Sequence, residues 1–104
     1  MAWVLLLLAG VFEVGWAIGL KYTEGFTKWW PSLWTILSMA LSVWLLGLAM
    51  KSLPMGTAYS VWVGIGAFGT VALGIALFGE PVNTGRIISI SLIILGVLGL
   101  KFSA

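Results

Sequence analysis

A single carboxylate is the residue best placed to do chemistry in this sequence. Glu13 lies near the middle of residues 2–20, an apolar run in which it is the only charged side chain. A helix of that length spans the hydrocarbon core of a bilayer, and an acidic side chain at its centre costs about 2.5–3.5 kcal/mol to insert. Such a side chain usually faces a bundle interior or a watery cavity, and it marks a candidate functional site.

The composition indicates an integral membrane protein. Of the 104 residues, 62% are hydrophobic and only 8% are charged, whereas a soluble domain needs far more charge on its surface. Basic runs are absent, so nucleic acid is not an expected partner. Cysteine and histidine are absent too, and a proton carried within the membrane therefore has to reside on a carboxylate. Without a nucleophile, metal set or phosphate loop, we expect no enzyme activity, metal or cofactor.

Four apolar segments predict an all-α membrane protein with one domain over residues 1–104. The expected spans are residues 2–20, 32–50, 55–78 and about 85–101. Turn residues and most of the charges fall in the three connections between them, as is typical of multi-pass proteins.

The basic residues are distributed almost evenly between the two sides of the membrane. With four spans, Lys21, Lys28 and Arg86 lie on one side, and Lys51 and Lys101 lie with the α-amino group on the other. Orientation follows the lysine and arginine excess. So small a bias leaves two interpretations open: the charges are uninformative, or the chain inserts both ways and pairs with an inverted copy.

The first two segments offer Glu13 room and polar neighbours. Small residues on its helix face, Gly10 among them, leave space for a helix or a ligand. Trp16, one turn away, could supply an indole N–H, or it could simply pack against lipid or a neighbouring helix. Ser38 and Ser42 share a face of the second segment with Trp34. Either serine could bond only its own helix, but two on one stripe favour a polar neighbour.

The third segment combines aromatic residues with glycines. Tyr59 and Trp62 lie one turn apart, before the glycines Gly64 and Gly66. These glycines could serve close helix packing, but the pair also predicts a kink or hinge at which the helix bends between two states. The fourth segment has small residues and no polar side chain that is expected to contribute to the site, so helix packing is its expected role.

Two copies of the chain would bring two Glu13 carboxylates together. Close carboxylates in a low-dielectric pocket resist carrying two charges, and either protons or an entering cation neutralises them. Competition of this kind is the minimum chemistry of proton/cation antiport. Because lysine and arginine occur only at the ends of the spans, at Arg86 and Lys101, the site should select cations.

The chain resembles the small multidrug resistance family of four-helix bacterial exporters. The resemblance covers essentially the whole chain: AGVFEVGWA around Glu13, EGFTKWWPS in the first connection, LPMGTAYSVWVGIG into the third segment, and FGEP before the fourth. It implies an antiparallel (inverted) homodimer, dual-topology insertion in the bacterial inner membrane, and proton-coupled antiport using Glu13.

Within that family the chain is similar to the guanidinium-exporter branch. The branch-typical residues present are Gly10, Trp16, Ser42 and Lys101, along with the more widely shared Tyr59 and Trp62. The quaternary-ammonium branch usually has glycine in place of Trp16. A planar guanidinium fits a carboxylate in a bidentate fork, and indole or serine donors could hold that carboxylate in plane.

The predicted substrates are therefore guanidinium and small substituted guanidinium ions. The predicted pocket around Glu13 is lined by Gly10, Trp16, Ser38, Ser42, Tyr59 and Trp62. A quaternary-ammonium or polyaromatic-cation exporter of the same fold is the main alternative. A membrane subunit that needs a partner to act and a narrow cation channel also remain open.

Overall fold

The computed structural model describes residues 1–103 and contains four α-helices. They are α1 (Ala2–Thr23), α2 (Trp29–Ala49), α3 (Met55–Phe78) and α4 (Thr84–Ser103). Each is long and apolar enough to cross a membrane. The predicted all-α architecture of four spans is therefore confirmed.

The helix bounds differ from the predicted spans mainly at the connections. The first helix runs three residues beyond its predicted end and stops where Glu24 takes a left-handed conformation, with φ 47°. The second begins at Trp29, so that Pro31 lies in its first turn, where a missing amide N–H breaks no helical hydrogen bond. The third covers the same residues as the predicted segment.

The four helices form a flat slab. The first helix packs against both α2 and α3, and α4 packs along α3. The chain measures 41 × 34 × 17 Å. Since a helix with its side chains is about 10–12 Å across, the shortest dimension holds fewer than two full helices.

The buried core lies among the first three helices. Its members are apolar side chains of α1, α2 and α3: Leu6, Ala9, Leu45, Leu46, Ala49, Ala58, Val61 and Trp62. None of residues 84–103 is buried. The fourth segment therefore packs along α3 as expected, but most of its surface is not covered by its own chain.

Glycines allow the helices to approach closely. A Cβ at Gly10 of α1 would overlap Ile65 of α3, and one at Gly64 of α3 would overlap Val97 of α4. The third helix continues without a break through Gly64 and Gly66. In this conformation both glycines serve close contacts, and the hinge role stays a prediction.

Candidate functional site

Glu13 lies on α1 where that helix meets α3. Its side chain is half-buried, and its carboxylate rests on Gly66 so closely that a Cβ there would overlap it. Only glycine leaves this space open, because every other residue adds a Cβ at that point. The helix contact therefore fixes the depth at which the carboxylate lies.

The Glu13 carboxylate has an acceptor without a donor. Its Oε1 atom is buried and has no hydrogen-bond partner among residues 1–103. The ion pairs of the described chain lie elsewhere, at Glu24 with Lys28 and at Glu80 with Arg86. A buried acceptor left unpaired costs about 1–3 kcal/mol. The site can recover that free energy by binding a proton or a cation that donates N–H groups.

Ser42 joins three helices through a buried hydrogen-bond relay. Its hydroxyl donates to the carbonyl oxygen of Ala9 on α1 at 2.7 Å and accepts from Trp62 Nε1 on α3 at 2.8 Å. Interhelical hydrogen bonds of this kind are worth about 0.6–2 kcal/mol each in a membrane. The hydroxyl hydrogen of Ser42 is thus committed to Ala9 in this conformation, so Ser42 holds the helices rather than the Glu13 carboxylate.

Trp16 has a donor without an acceptor. Its Nε1 atom is buried and unpaired among the described residues, and it lies on α1 one turn from Glu13. The predicted bond between this indole and the carboxylate is not formed here. The Glu13 carboxylate lacks a donor, which the indole or a bound cation with N–H groups could supply, and the indole lacks an acceptor, which the carboxylate could supply.

Tyr59 and Trp62 form the aromatic part of the predicted pocket. Their ring centroids lie 5.6 Å apart at 55°. Trp62 is buried and donates to Ser42, whereas Tyr59 is 53% exposed. The structure therefore groups Ser42, Trp62 and Tyr59, while Gly10 packs on Ile65 of α3. Ser38 is buried against Gly15 of α1.

Known proteins provide a direct comparison. Residues 1–93 match the family model described as Small Multidrug Resistance protein. The chain belongs to the small multidrug resistance family. Among its curated relatives, proteins named "Guanidinium exporter" share 57% identity in Yersinia pestis over 100% of both chains. Those of Escherichia coli share 54% over 99% of this chain and 98% of theirs, and those of Salmonella typhimurium share 53% over 100% and 99%.

Membership of the small multidrug resistance family, together with four apolar helices, identifies a multi-pass membrane protein of a transporter family. This location is consistent with the bacterial inner membrane. A membrane location also agrees with the sequence-based interpretation of Glu13 as an isolated charge within a span.

Sequence reasoning missed two features of this small multidrug resistance protein. Thr35 is fully buried on α2 at the same face as Ser38 and Ser42, and its spacing of three residues from Ser38 was the signal that could have found it. The second feature is the Arg86–Glu80 pair, in which Nη2 lies 3.2 Å from Oε1. Its two residues are six positions apart across a turn, a separation for which no local sequence rule predicts contact.

Proposed function

We propose that the protein is a proton-coupled antiporter that exports guanidinium and small substituted guanidinium ions across the bacterial inner membrane. Proton and substrate compete for the Glu13 carboxylates of two subunits. The observation that carries this proposal is the buried, unpaired Oε1 of Glu13, on a helix whose other charged residue, Lys21, lies in its last turn. Either a proton or a guanidinium ion neutralises the carboxylate, so the binding of one disfavours the binding of the other.

Guanidinium matches this carboxylate in shape and in hydrogen-bonding capacity. It presents N–H donors in one plane, so two of them can bind both oxygens of a carboxylate at once. The naming of full-length relatives at 53–57% identity as guanidinium exporters supports the same substrate class. Trp16, with its free Nε1, and the exposed ring of Tyr59 are the groups best placed to line the rest of the pocket.

An inverted homodimer completes the site in this proposal. One chain is a slab only 17 Å thick, and none of residues 84–103 is buried within it. The nearly even distribution of basic residues allows insertion in both orientations. Two inverted copies would cover the open face of each slab and bring the two Glu13 carboxylates to one pocket.

Export of quaternary ammonium or polyaromatic cations is the alternative. The exposed Tyr59 ring favours it, because a tetraalkylammonium ion gains about 0.5–2 kcal/mol from contact with an aromatic face. Such an ion has no N–H to donate, so the acceptor of Glu13 would remain unpaired at a cost of about 1–3 kcal/mol. We therefore expect guanidinium to bind about ten- to a hundredfold more tightly than tetramethylammonium.

The test is transport by liposomes that contain only this protein. With the interior more acidic than the exterior, the native protein should accumulate guanidinium as protons leave, and tetramethylammonium should compete poorly. Glu13→Gln should abolish uptake, because the amide can neither release a proton nor carry the charge that binds guanidinium.

Glu24→Gln is the matched control, since Glu24 is an exposed carboxylate at the end of α1 and should be dispensable. Both variants must insert normally for the comparison to count. Normal uptake by Glu13→Gln would refute the proposal, proton flow without exchange would indicate a channel, and tighter binding of tetramethylammonium would favour the alternative substrates.

A further inference from the structure

Two cavities that share Phe68 form a groove along the contact between α3 and α4. The first has a volume of about 190 Å³, and Arg86 lines its end nearest the α3–α4 connection. The second, of about 390 Å³, continues along α4 as far as Leu98. Apolar side chains line both cavities, among them Ala72, Ile75, Ile87, Ile90 and Ile94. We call the two cavities together the α3–α4 groove.

The α3–α4 groove lies on the face of the slab opposite Tyr59. Phe68 and Tyr59 are nine residues apart on α3, which is about two and a half helical turns, so their side chains leave opposite sides of the helix. Tyr59 belongs to the predicted pocket around Glu13. A second copy that covers the pocket would therefore leave the α3–α4 groove open to the lipids of the membrane.

The α3–α4 groove has the length of one acyl chain. Arg86 and Leu98 are twelve residues apart, or about 18 Å along the helix axis. One leaflet provides about half of a hydrocarbon core of about 30 Å, so a chain that starts at Arg86 reaches the end of the groove near the bilayer centre. Ser91, which lines the first cavity, donates to the carbonyl oxygen of Ile87 at 2.8 Å. Its hydroxyl is thus satisfied and presents no unpaired donor to an apolar chain.

An ion pair lies at the head of the α3–α4 groove. Arg86 Nη2 lies 3.2 Å from Glu80 Oε1, and the two side chains are 31% and 38% exposed. The Glu80 carboxylate rests against Gly74, where a Cβ would overlap it. The backbone amide of Arg86 donates to Asn83 Oδ1 at 2.9 Å. The pair is therefore held in place, and its contact leaves other guanidinium N–H groups and the second carboxylate oxygen able to bind a ligand.

A fixed pair of opposite charges is complementary to a zwitterionic headgroup. A guanidinium binds phosphate through two parallel hydrogen bonds, and a carboxylate accepts from an ammonium group. An arginine alone would favour anionic phospholipids, but Glu80 offsets the charge of Arg86 and repels a second anion. Phosphoethanolamine carries both a phosphate and a primary ammonium group, whereas the quaternary ammonium of phosphocholine has no N–H to donate.

We propose that the α3–α4 groove binds one phosphatidylethanolamine molecule per chain. Arg86 binds its phosphate, Glu80 binds its ammonium group, and one acyl chain lies along the groove. Within the described chain α4 packs along α3, and none of residues 84–103 is buried, so the bound lipid fastens α4 to the rest of the slab. This inference goes beyond the proposed function and does not depend on which ion is transported.

The test is lipid retention, measured by native mass spectrometry of the protein released from nanodiscs with equal amounts of phosphatidylethanolamine and phosphatidylglycerol. The native protein should retain phosphatidylethanolamine in about tenfold excess, the order of one hydrogen bond to a charged group, and saturate at one molecule per chain. Glu80→Gln should reverse the preference towards phosphatidylglycerol, because the charge of Arg86 is then no longer offset. Ala72→Leu should reduce retention of both lipids, because the larger side chain fills the groove.

Each variant has a matched control. Glu24→Gln removes the acid of the exposed pair with Lys28, which lies outside the α3–α4 groove, and should keep the native preference. Ala76→Leu adds the same volume at an exposed position of α3 that does not line the groove, and should keep native retention.

The native protein alone can overturn the proposal, by retaining the two lipids in the ratio of the nanodisc or by preferring phosphatidylglycerol. An unchanged preference in a folded Glu80→Gln, or an equal change in Glu24→Gln, would also overturn the assignment of the headgroup. Native retention by Ala72→Leu would overturn the placement of the acyl chain. Guanidinium transport enters none of these measurements, so failure of the proposed function and failure of this inference are distinguishable.

Discussion

At the scale of single residues, the Glu13 carboxylate stays unpaired because its neighbours provide space but no hydrogen-bond donor. Gly66 gives this carboxylate room on α3, and the basic side chains of the four helices lie only in their end turns. The nearby Ser42 hydroxyl is occupied by Ala9 and Trp62. The result is a buried acceptor that is open to a proton or a donor-bearing cation.

Gly66→Ala should therefore weaken guanidinium binding, because the new methyl group displaces the Glu13 carboxylate. We expect a loss of at least about tenfold in affinity, the order of one hydrogen bond to a charged group, measured by equilibrium binding. Gly56→Ala is the matched control on the same helix, since its Cβ would meet open space. Slower turnover with native affinity would instead support the hinge role that the sequence predicts for Gly64 and Gly66.

At the scale of helices, hydropathy predicted the four spans because length and apolar composition are local properties of the sequence. The same reasoning found Glu13, whose isolation in its span is visible without any tertiary structure. Reasoning from local sequence was less informative about Ser38 and Ser42 of α2. Whether a hydroxyl bonds its own helix, as in Ser91, or another helix, as in Ser42, depends on interhelical distances that no local pattern contains.

The α3–α4 connection illustrates the same limit. Glu80 folds back over Gly74, where a Cβ would overlap its carboxylate, and pairs with Arg86 in the first turn of α4. Asn83 caps that helix by accepting from the Arg86 amide at 2.9 Å. Sequence placed Arg86 near the interface but not in this pair. The contact fixes the angle at which α4 leaves α3 and presents its unburied face.

At the scale of the whole molecule, the proposed function requires more than one chain. The slab of one chain is 17 Å thick, and large apolar side chains of α4, such as Leu92 and Leu95, are each 63% exposed. Lipid can cover such a face, but lipid cannot supply a second carboxylate. The proposed homodimer with one inverted subunit would supply both the cover and the second carboxylate.

Added lysines should test this dimer. Thr27→Lys with Val82→Lys adds two charges at one face, and Ser52→Lys with Ser103→Lys adds two at the other, so each double variant should insert in a single orientation. Either alone should lose most transport, and expressing both together should restore it. Labelling of a single cysteine introduced into a connection, from each side of the membrane, reports the orientation. Full activity from one uniformly oriented variant would contradict the inverted dimer.

Proton release on guanidinium binding tests the shared carboxylate most directly. It can be measured by titrating the native protein in lipid nanodiscs and weakly buffered solution, over a series of acidic to neutral pH values. We predict saturable release of protons with guanidinium, an affinity that falls as the pH is lowered, and neither binding nor release in Glu13→Gln. Guanidinium binding that displaces no proton at any pH, or equal release from Glu13→Gln, would contradict the account.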